Sequence, residues 1–327
     1  MIYQLLFSLF TALSGFWLLQ SISNNHFVNK SGVTLFTCLF LWLLILVLLK
    51  GVDLVLIKFL FFPITVLFLS KNIGYLKLLA ILMLAISISN VAYFGISKIS
   101  YFDITAIASL CLLANSKLSM NYWIFIILFI AILQSYLLSH RTFMFFSFVF
   151  LLFLIVRKTF FIPRNAILLS LIFITTVLMI IGFSFSKFDL FVSPTASNIG
   201  RSIMPYAIFE YYYSGNFLPL NKFEALNLVE DAWPKTLGRF YFLSHIDTHN
   251  GLANLLMFGG VPLLTLFILW AKDIFAIPSQ NHMQVGFLMI AVLFVSIFSF
   301  ETFSNRSFLQ FMMLISTMKI LKRDCNV

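Results

Sequence analysis

Residues 165–183 read NAILLSLIFITTVLMIIGF, nineteen residues without a single charge. An α-helix needs about 20 apolar residues to cross the hydrocarbon core of a bilayer. Arg157, Lys158 and Arg164 stand before this stretch and a long polar segment, 185–248, follows it. The same character extends through the chain. Of 327 residues, 61% are apolar or aromatic, only 10% are charged, and the mean hydropathy is +1.04. Soluble domains carry about 45–50% apolar and about 25% charged residues. A chain with so few charges cannot wet the surface of a soluble protein. A soluble enzyme, a disordered chain and a nucleic-acid binder are thereby excluded, and the reading is an all-α, polytopic integral membrane protein in contact with the lipid bilayer.

Counted outward from 165–183, candidate spans fall at 2–19, 33–49, 54–69, 78–97, 104–114, 121–138, 142–156, 250–270, 285–300 and 307–321. The 104–114 run is short for a span, so the expected number of crossings is ten or eleven. Three regions follow: N-terminal transmembrane helices over 1–183, a large and helical external loop over 184–248, and C-terminal transmembrane helices over 249–327. The N-terminal 19 residues lack the basic leader and cleavage site of a signal peptide and read as an uncleaved first span.

The net charge of +10 is unevenly spread. The 185–248 loop holds five basic residues (Lys187, Arg201, Lys222, Lys235, Arg239) against six acids (Asp189, Glu210, Glu224, Glu230, Asp231, Asp247). The excess of Lys and Arg therefore lies on short flanks, as on the cytoplasmic loops of membrane proteins. Alternating the C-terminal spans puts Arg157, Lys158, Arg164, Lys272, Lys319, Lys322 and Arg323 on that side. His140-Arg141, the 185–248 loop and residues 301–306 share the other. Cys38, Cys111 and Cys325 form no disulfide framework.

The loop carries Pro194, Pro205, Pro219 and Pro234 but no repeat. A loop this long is functional or disordered. Its aromatics, among them Tyr206, Tyr211 and Trp233, argue against disorder, and a small helical cap on the membrane surface is expected. Where it re-enters the membrane the chain reads Ser244-His245-Ile246-Asp247-Thr248-His249-Asn250-Gly251. Thr248 is an expected N-cap for the next span, with His249 in its first turn. There the positive helix end disfavours imidazolium and suits a general base. The alternative is an interfacial histidine without chemistry. A metal site begun by His245 and His249 lacks a third ligand beyond Asp247, so no metal and no cofactor are expected. Gly259, Gly260 and Pro262 would let the helix kink.

The stretch from Thr248-His249-Asn250-Gly251 to Gly259-Gly260 resembles the His-Asn…Gly pattern of the O-antigen polymerase and ligase superfamily. Ser139-His140-Arg141-Thr142 is similar to its short Ser/Arg motif. Gly200-Arg201-Ser202-Ile203 with the aromatic run after it resembles the start of its large periplasmic loop, and Phe300-Glu301 to Arg306 resembles its closing motif. The resemblance covers about residues 139–327. The chain departs from the pattern in its short length, in His140 beside Arg141, and in Pro205, which interrupts the loop helix early.

The resemblance implies a metal-independent glycosyltransferase of the bacterial inner membrane, with its site facing the periplasm. A glycan would pass from an undecaprenyl-diphosphate-linked oligosaccharide to an acceptor hydroxyl. His249 would be the base. Arg141, Arg201, Arg306 and Asn250 would bind diphosphate or substrate, guanidinium being permanently charged and bidentate toward phosphate oxygens. Tyr206, Tyr211 and Trp233 would offer faces to sugars, and a chain-length regulator is an implied partner.

Each arginine also has a plain reading: Arg141 snorkelling at the interface, Arg201 paired with Glu210 on a surface helix, and Arg306 paired with Glu301. The Phe-rich composition, 42 in all, favours a polymerase over a ligase that moves the finished chain to lipid A core. An exporter of lipid-linked oligosaccharide ranks third, since charges deep within spans are nearly absent, Lys58 excepted.

Overall fold

In lipid a backbone N–H or C=O has no water to bond, so apolar runs become helices that satisfy their own ladders. The computed structural model describes residues 2–23, 30–50, 54–95, 103–114, 164–188, 199–232, 248–277, 284–300 and 303–325. Among these the regular structure is entirely helical. The N-terminal part holds α1 (Ile2–Ser23), α2 (Lys30–Lys50), α3 (Leu54–Lys71), α4 (Ile73–Phe94) and the short α5 (Ile104–Ala114). Then follow α6 (Ala166–Phe188), a π turn (Ile199–Ile203), and the cap helices α7 (Met204–Tyr213) and α8 (Lys222–Ala232). The chain closes with α9 (Gly251–Ile274), α10 (Gln284–Phe300) and α11 (Asn305–Cys325). Four of these, α1, α4, α6 and α9, are long and apolar enough to cross a membrane.

The distribution of polarity is that of a protein solvated by lipid. Leu5, Leu9, Phe16 and Leu19 of α1, Leu41, Leu44, Leu48 and Leu49 of α2, and Leu169, Ile172 and Phe173 of α6 are exposed. Polar groups lie inside: Ser14 and Thr65 share a buried hydrogen bond of 3.0 Å between α1 and α3. Ser316 of α11 reaches the Val66 carbonyl at 3.3 Å. Helix α11 is the axis of the bundle. From Phe308 to Leu321 nearly every side chain is buried, because α1, α3, α5 and α10 all pack on it.

Ring contacts set the direction of the helices. Phe7 and Phe59 meet Phe308 at 6.2 and 5.3 Å, and Trp17 meets Phe68 at 5.9 Å. Helices α1, α3 and α11 therefore run parallel, their N-termini at one end. The C-terminus of α10 lies at that end too, because Phe298 packs on Phe303 at 5.8 Å. At the opposite end the Ile277 N–H donates to the Arg164 carbonyl at 2.9 Å, and Lys322 Nζ donates to the Asp273 carbonyl. The basic flanks before α6, after α9 and at the end of α11 are thus gathered on one side of the bundle.

The cap is more than a surface layer. Ile203, Met204, Ala207, Ile208, Leu220, Ala225 and Val229 form a second core with Ala253, Leu256 and Met257 of α9. Pro205 does not interrupt the loop helix. It stands in the first turn of α7, where its missing N–H is no loss. Helix α9 breaks at Gly260, whose φ is 68° and ψ −173°.

Candidate active site

The site forms where the π turn meets the head of α9. Asn250, and not Thr248, is the N-cap: its Oδ1 accepts from the N–H of Leu252 (3.0 Å) and Ala253 (3.1 Å). Thr248 is drawn instead into a clamp with Asn254. Its N–H donates to Asn254 Oδ1 (3.0 Å), and Asn254 Nδ2 returns a bond to its carbonyl (2.7 Å). Its hydroxyl lies 2.5 Å from Asn254 Oδ1 and 2.9 Å from the Asn250 carbonyl. These bonds close the loop on the helix and hold His249 just before the cap, not in the first turn.

His249 is bonded across to the π turn, its N–H donating to the Gly200 carbonyl at 3.0 Å. A Cβ on Gly200 would lie 2.7 Å from His249 Cδ2. The glycine therefore leaves the space in which the imidazole rests. Arg201 follows directly, and its positive charge reaches the imidazole. Burial, and after it the Arg201 guanidinium, hold the His249 pKa below its ordinary value of 6.5. The sequence points to the helix end as the source of a lowered pKa; burial and a fixed cation lower it here. Asn250 is fully buried, and its Nδ2 has no hydrogen-bond partner among the described residues. A donor in that position costs free energy unless an acceptor arrives.

Close backbone contacts dock these pieces. A Cβ on Gly182 of α6 would collide with the Ser202 carbonyl, and one on Gly251 would lie 2.5 Å from the Phe298 carbonyl. The ends of α6 and α10 thus abut the two segments that carry Arg201 and His249. Between these helices runs an apolar cleft of about 380 Å³, lined by Ile167, Leu169, Phe173, Leu288, Val292 and Val295 among others.

The other residues singled out in the sequence are dispersed. Tyr206 is buried in the joint between cap and α6, packed on Phe183 at 5.9 Å. Burial and the Glu210 carboxylate push its pKa up to about 12. A ring so enclosed has little surface for a sugar. Tyr211 is half-buried beside Tyr212 at 5.2 Å. Arg306 lies at the same end of the bundle as His249, but its Nε is 4.0 Å from Asp103 Oδ2. Arg141, Trp233, His140, His245 and Glu301 lie outside the described residues.

Asp103 was missed in the sequence. It is wholly buried, heads α5, and accepts from the N–H of Thr105 (3.2 Å) and Ala106 (3.3 Å). Gln310 Nε2 lies 3.2 Å from both its oxygens. The signal was present, an Asp-Ile-Thr before an apolar run being an N-cap pattern.

Comparison of the chain with family profiles, curated proteins and solved structures finds no match.

Proposed function

We propose that the protein is a glycosyltransferase of the O-antigen polymerase type. In this reading it joins lipid-linked repeat units, and His249 and Arg201 form its reacting centre. The observation that carries the proposal is the meeting of an imidazole set on Gly200, the neighbouring Arg201 and an unmet amide donor at one helix head. The acceptor hydroxyl attacks the anomeric carbon of the donor sugar. The bond from that carbon to the phosphate oxygen breaks, and isoprenyl diphosphate departs. His249 takes the hydroxyl proton. Arg201 and Asn250 Nδ2 meet the charge that grows on the leaving group, where a preorganised donor contributes about 3–4 kcal/mol. The apolar cleft lies deeper along the same two helices, at residues 167–174 and 288–296, where the apolar tail of such a donor would run from the site into the bilayer.

Sequestering of Arg306 by Asp103 assigns it to the scaffold in this scheme, which leaves Arg201 and Arg141 as the diphosphate ligands. The basic end of the bundle then faces the cytoplasm and the site the periplasm.

The test is transfer by purified protein with lipid-linked substrate. His249→Ala should abolish chain growth, and full polymer length and yield would refute the base. Arg201→Lys should be damaging, because ammonium cannot bind two phosphate oxygens side by side. EDTA should leave transfer intact; a loss restored by a divalent ion would favour a metal-dependent scheme. In a deletion strain, core plus one repeat unit marks a lost polymerase. Bare core with polymer held on the lipid carrier marks a ligase, and absence of lipid-linked units from the periplasm marks an exporter.

A further inference from the structure

In an unbroken helix Met257 would accept from Val261, and Leu256 from Gly260. The break at Gly260 releases these groups, and the turn between α7 and α8 takes them up. The Leu220 N–H donates to the Met257 carbonyl (3.1 Å), and the Val261 N–H donates to the Phe217 carbonyl (3.3 Å). The Tyr212 hydroxyl donates to the Leu256 carbonyl at 2.7 Å, with that of Leu218 at 3.0 Å. Pro219 has no N–H to satisfy. Segment 214–220 is therefore spliced into the helix through the Phe217 and Leu218 carbonyls and the Leu220 N–H.

The splice also sets a depth. The regular helix from Gly251 to the break at Gly260 is about 12 Å long at 1.5 Å per residue, and the strap is bonded at its lower end, so it lies below the helix head. On α2, Trp42 Nε1 donates to the Gly259 carbonyl at 2.8 Å, which brings the exposed Leu41, Leu44 and Ile45 to the same level. The exposed side of the strap is mostly apolar, and the exposed Ser214 hydroxyl is bonded to the Tyr211 carbonyl at 2.7 Å. Tyr213 is 94% exposed, Phe217 64% and Leu218 54%.

We propose that this strap is a re-entrant, lipid-inserted segment, with Phe217 and Leu218 against the acyl chains of the leaflet that borders the site. Non-helical backbone is tolerated at membrane depth only where protein satisfies it, and the kink of α9 meets that condition. An aqueous surface would instead leave three large apolar side chains in water at the level where α2 presents leucine. The inference is independent of the reaction performed at His249.

The test is spin labelling of the full chain in lipid nanodiscs, with Cys38, Cys111 and Cys325 replaced by Ser. Labels are placed singly at Phe217, Leu218, Leu44 and Glu224. Labels at Phe217 and Leu218 should collide with oxygen and be lost to a water-soluble nickel chelate, matching Leu44 and opposing Glu224. Collision with the chelate as at Glu224 would place the strap in water. Inaccessibility to both would mean that another part of the chain covers it, and either result overturns the proposal. Should a label disturb the strap, Phe217→Trp in the native-cysteine protein replaces it. Its added fluorescence should be quenched by lipids brominated along the acyl chain and not by iodide; the reverse, or quenching by neither, is equally fatal.

Discussion

His249 rests on the bare backbone of Gly200: the amide of one bonds the carbonyl of the other, and the imidazole Cδ2 lies 2.7 Å from where a Cβ at 200 would stand. Gly200→Ala is therefore expected to push the imidazole aside while the fold survives. A misplacement of about 1 Å can cost about 100-fold in rate. Transfer kinetics beside thermal unfolding in detergent check this, and an alanine variant with full activity would show that the imidazole position does not matter.

The depressed pKa of His249 fixes the sign of its pH dependence. Because the folded value lies below 6.5, the imidazole stays neutral as pH falls past the point where a free histidine would charge. The acid limb of the transfer rate should have its midpoint below 6.5. Arg201→Gln removes the neighbouring cation and should raise that midpoint, yet not past 6.5, since burial persists. In the unfolded chain the histidine takes up its proton first, so this group's contribution to stability is present above about 6.5 and declines as pH drops through that value. An unmoved limb in Arg201→Gln would separate the two residues.

Gly260 and Gly15 should respond oppositely to alanine. At Gly260 a side chain meets a φ of 68° and the Phe217 carbonyl at 2.5 Å. That backbone conformation, with ψ at −173°, is one that essentially only glycine adopts and alone costs about 1–3 kcal/mol for a side chain; expulsion of the strap would add to it. At Gly15 of α1 nothing lies within 4 Å of the added carbon, and Ala there should be neutral or stabilising by about 0.5–1 kcal/mol. Thermal unfolding of both variants decides the matter; a tolerated Gly260→Ala would mean that the splice does not hold.

Asp103 and Arg306 should behave as a coupled pair. Removing one partner of a buried pair costs at most about 3–5 kcal/mol, reduced here because Arg306 is 21% exposed. Asp103→Asn and Arg306→Gln should each lower the unfolding temperature, and the double variant should lose less than the sum. Simple additivity would show that the two charges do not interact.

Hydropathy is a property of one segment at a time, and this much the sequence determined alone: apolar runs that make helices, a polar loop after the 165–183 run, and basic residues on short flanks. Even the 11-residue run at 104–114, too short to trust as a span, is a helix with those bounds. The kink was legible for the same reason, Gly259, Gly260 and Pro262 being local breakers. What sequence could not disclose are the meetings of distant residues. Gly200 with His249, Asp103 with Arg306 and Gln310, and Phe217 with Val261 are each decided by which helix faces pack together. Asn250 took the cap from Thr248 because Asn254, one turn into the helix, claimed the threonine. Such competition between neighbours is settled only when the backbone has closed, and it is tertiary packing that turns a histidine in a loop into a half-buried one beside a cation, its pKa lowered by both.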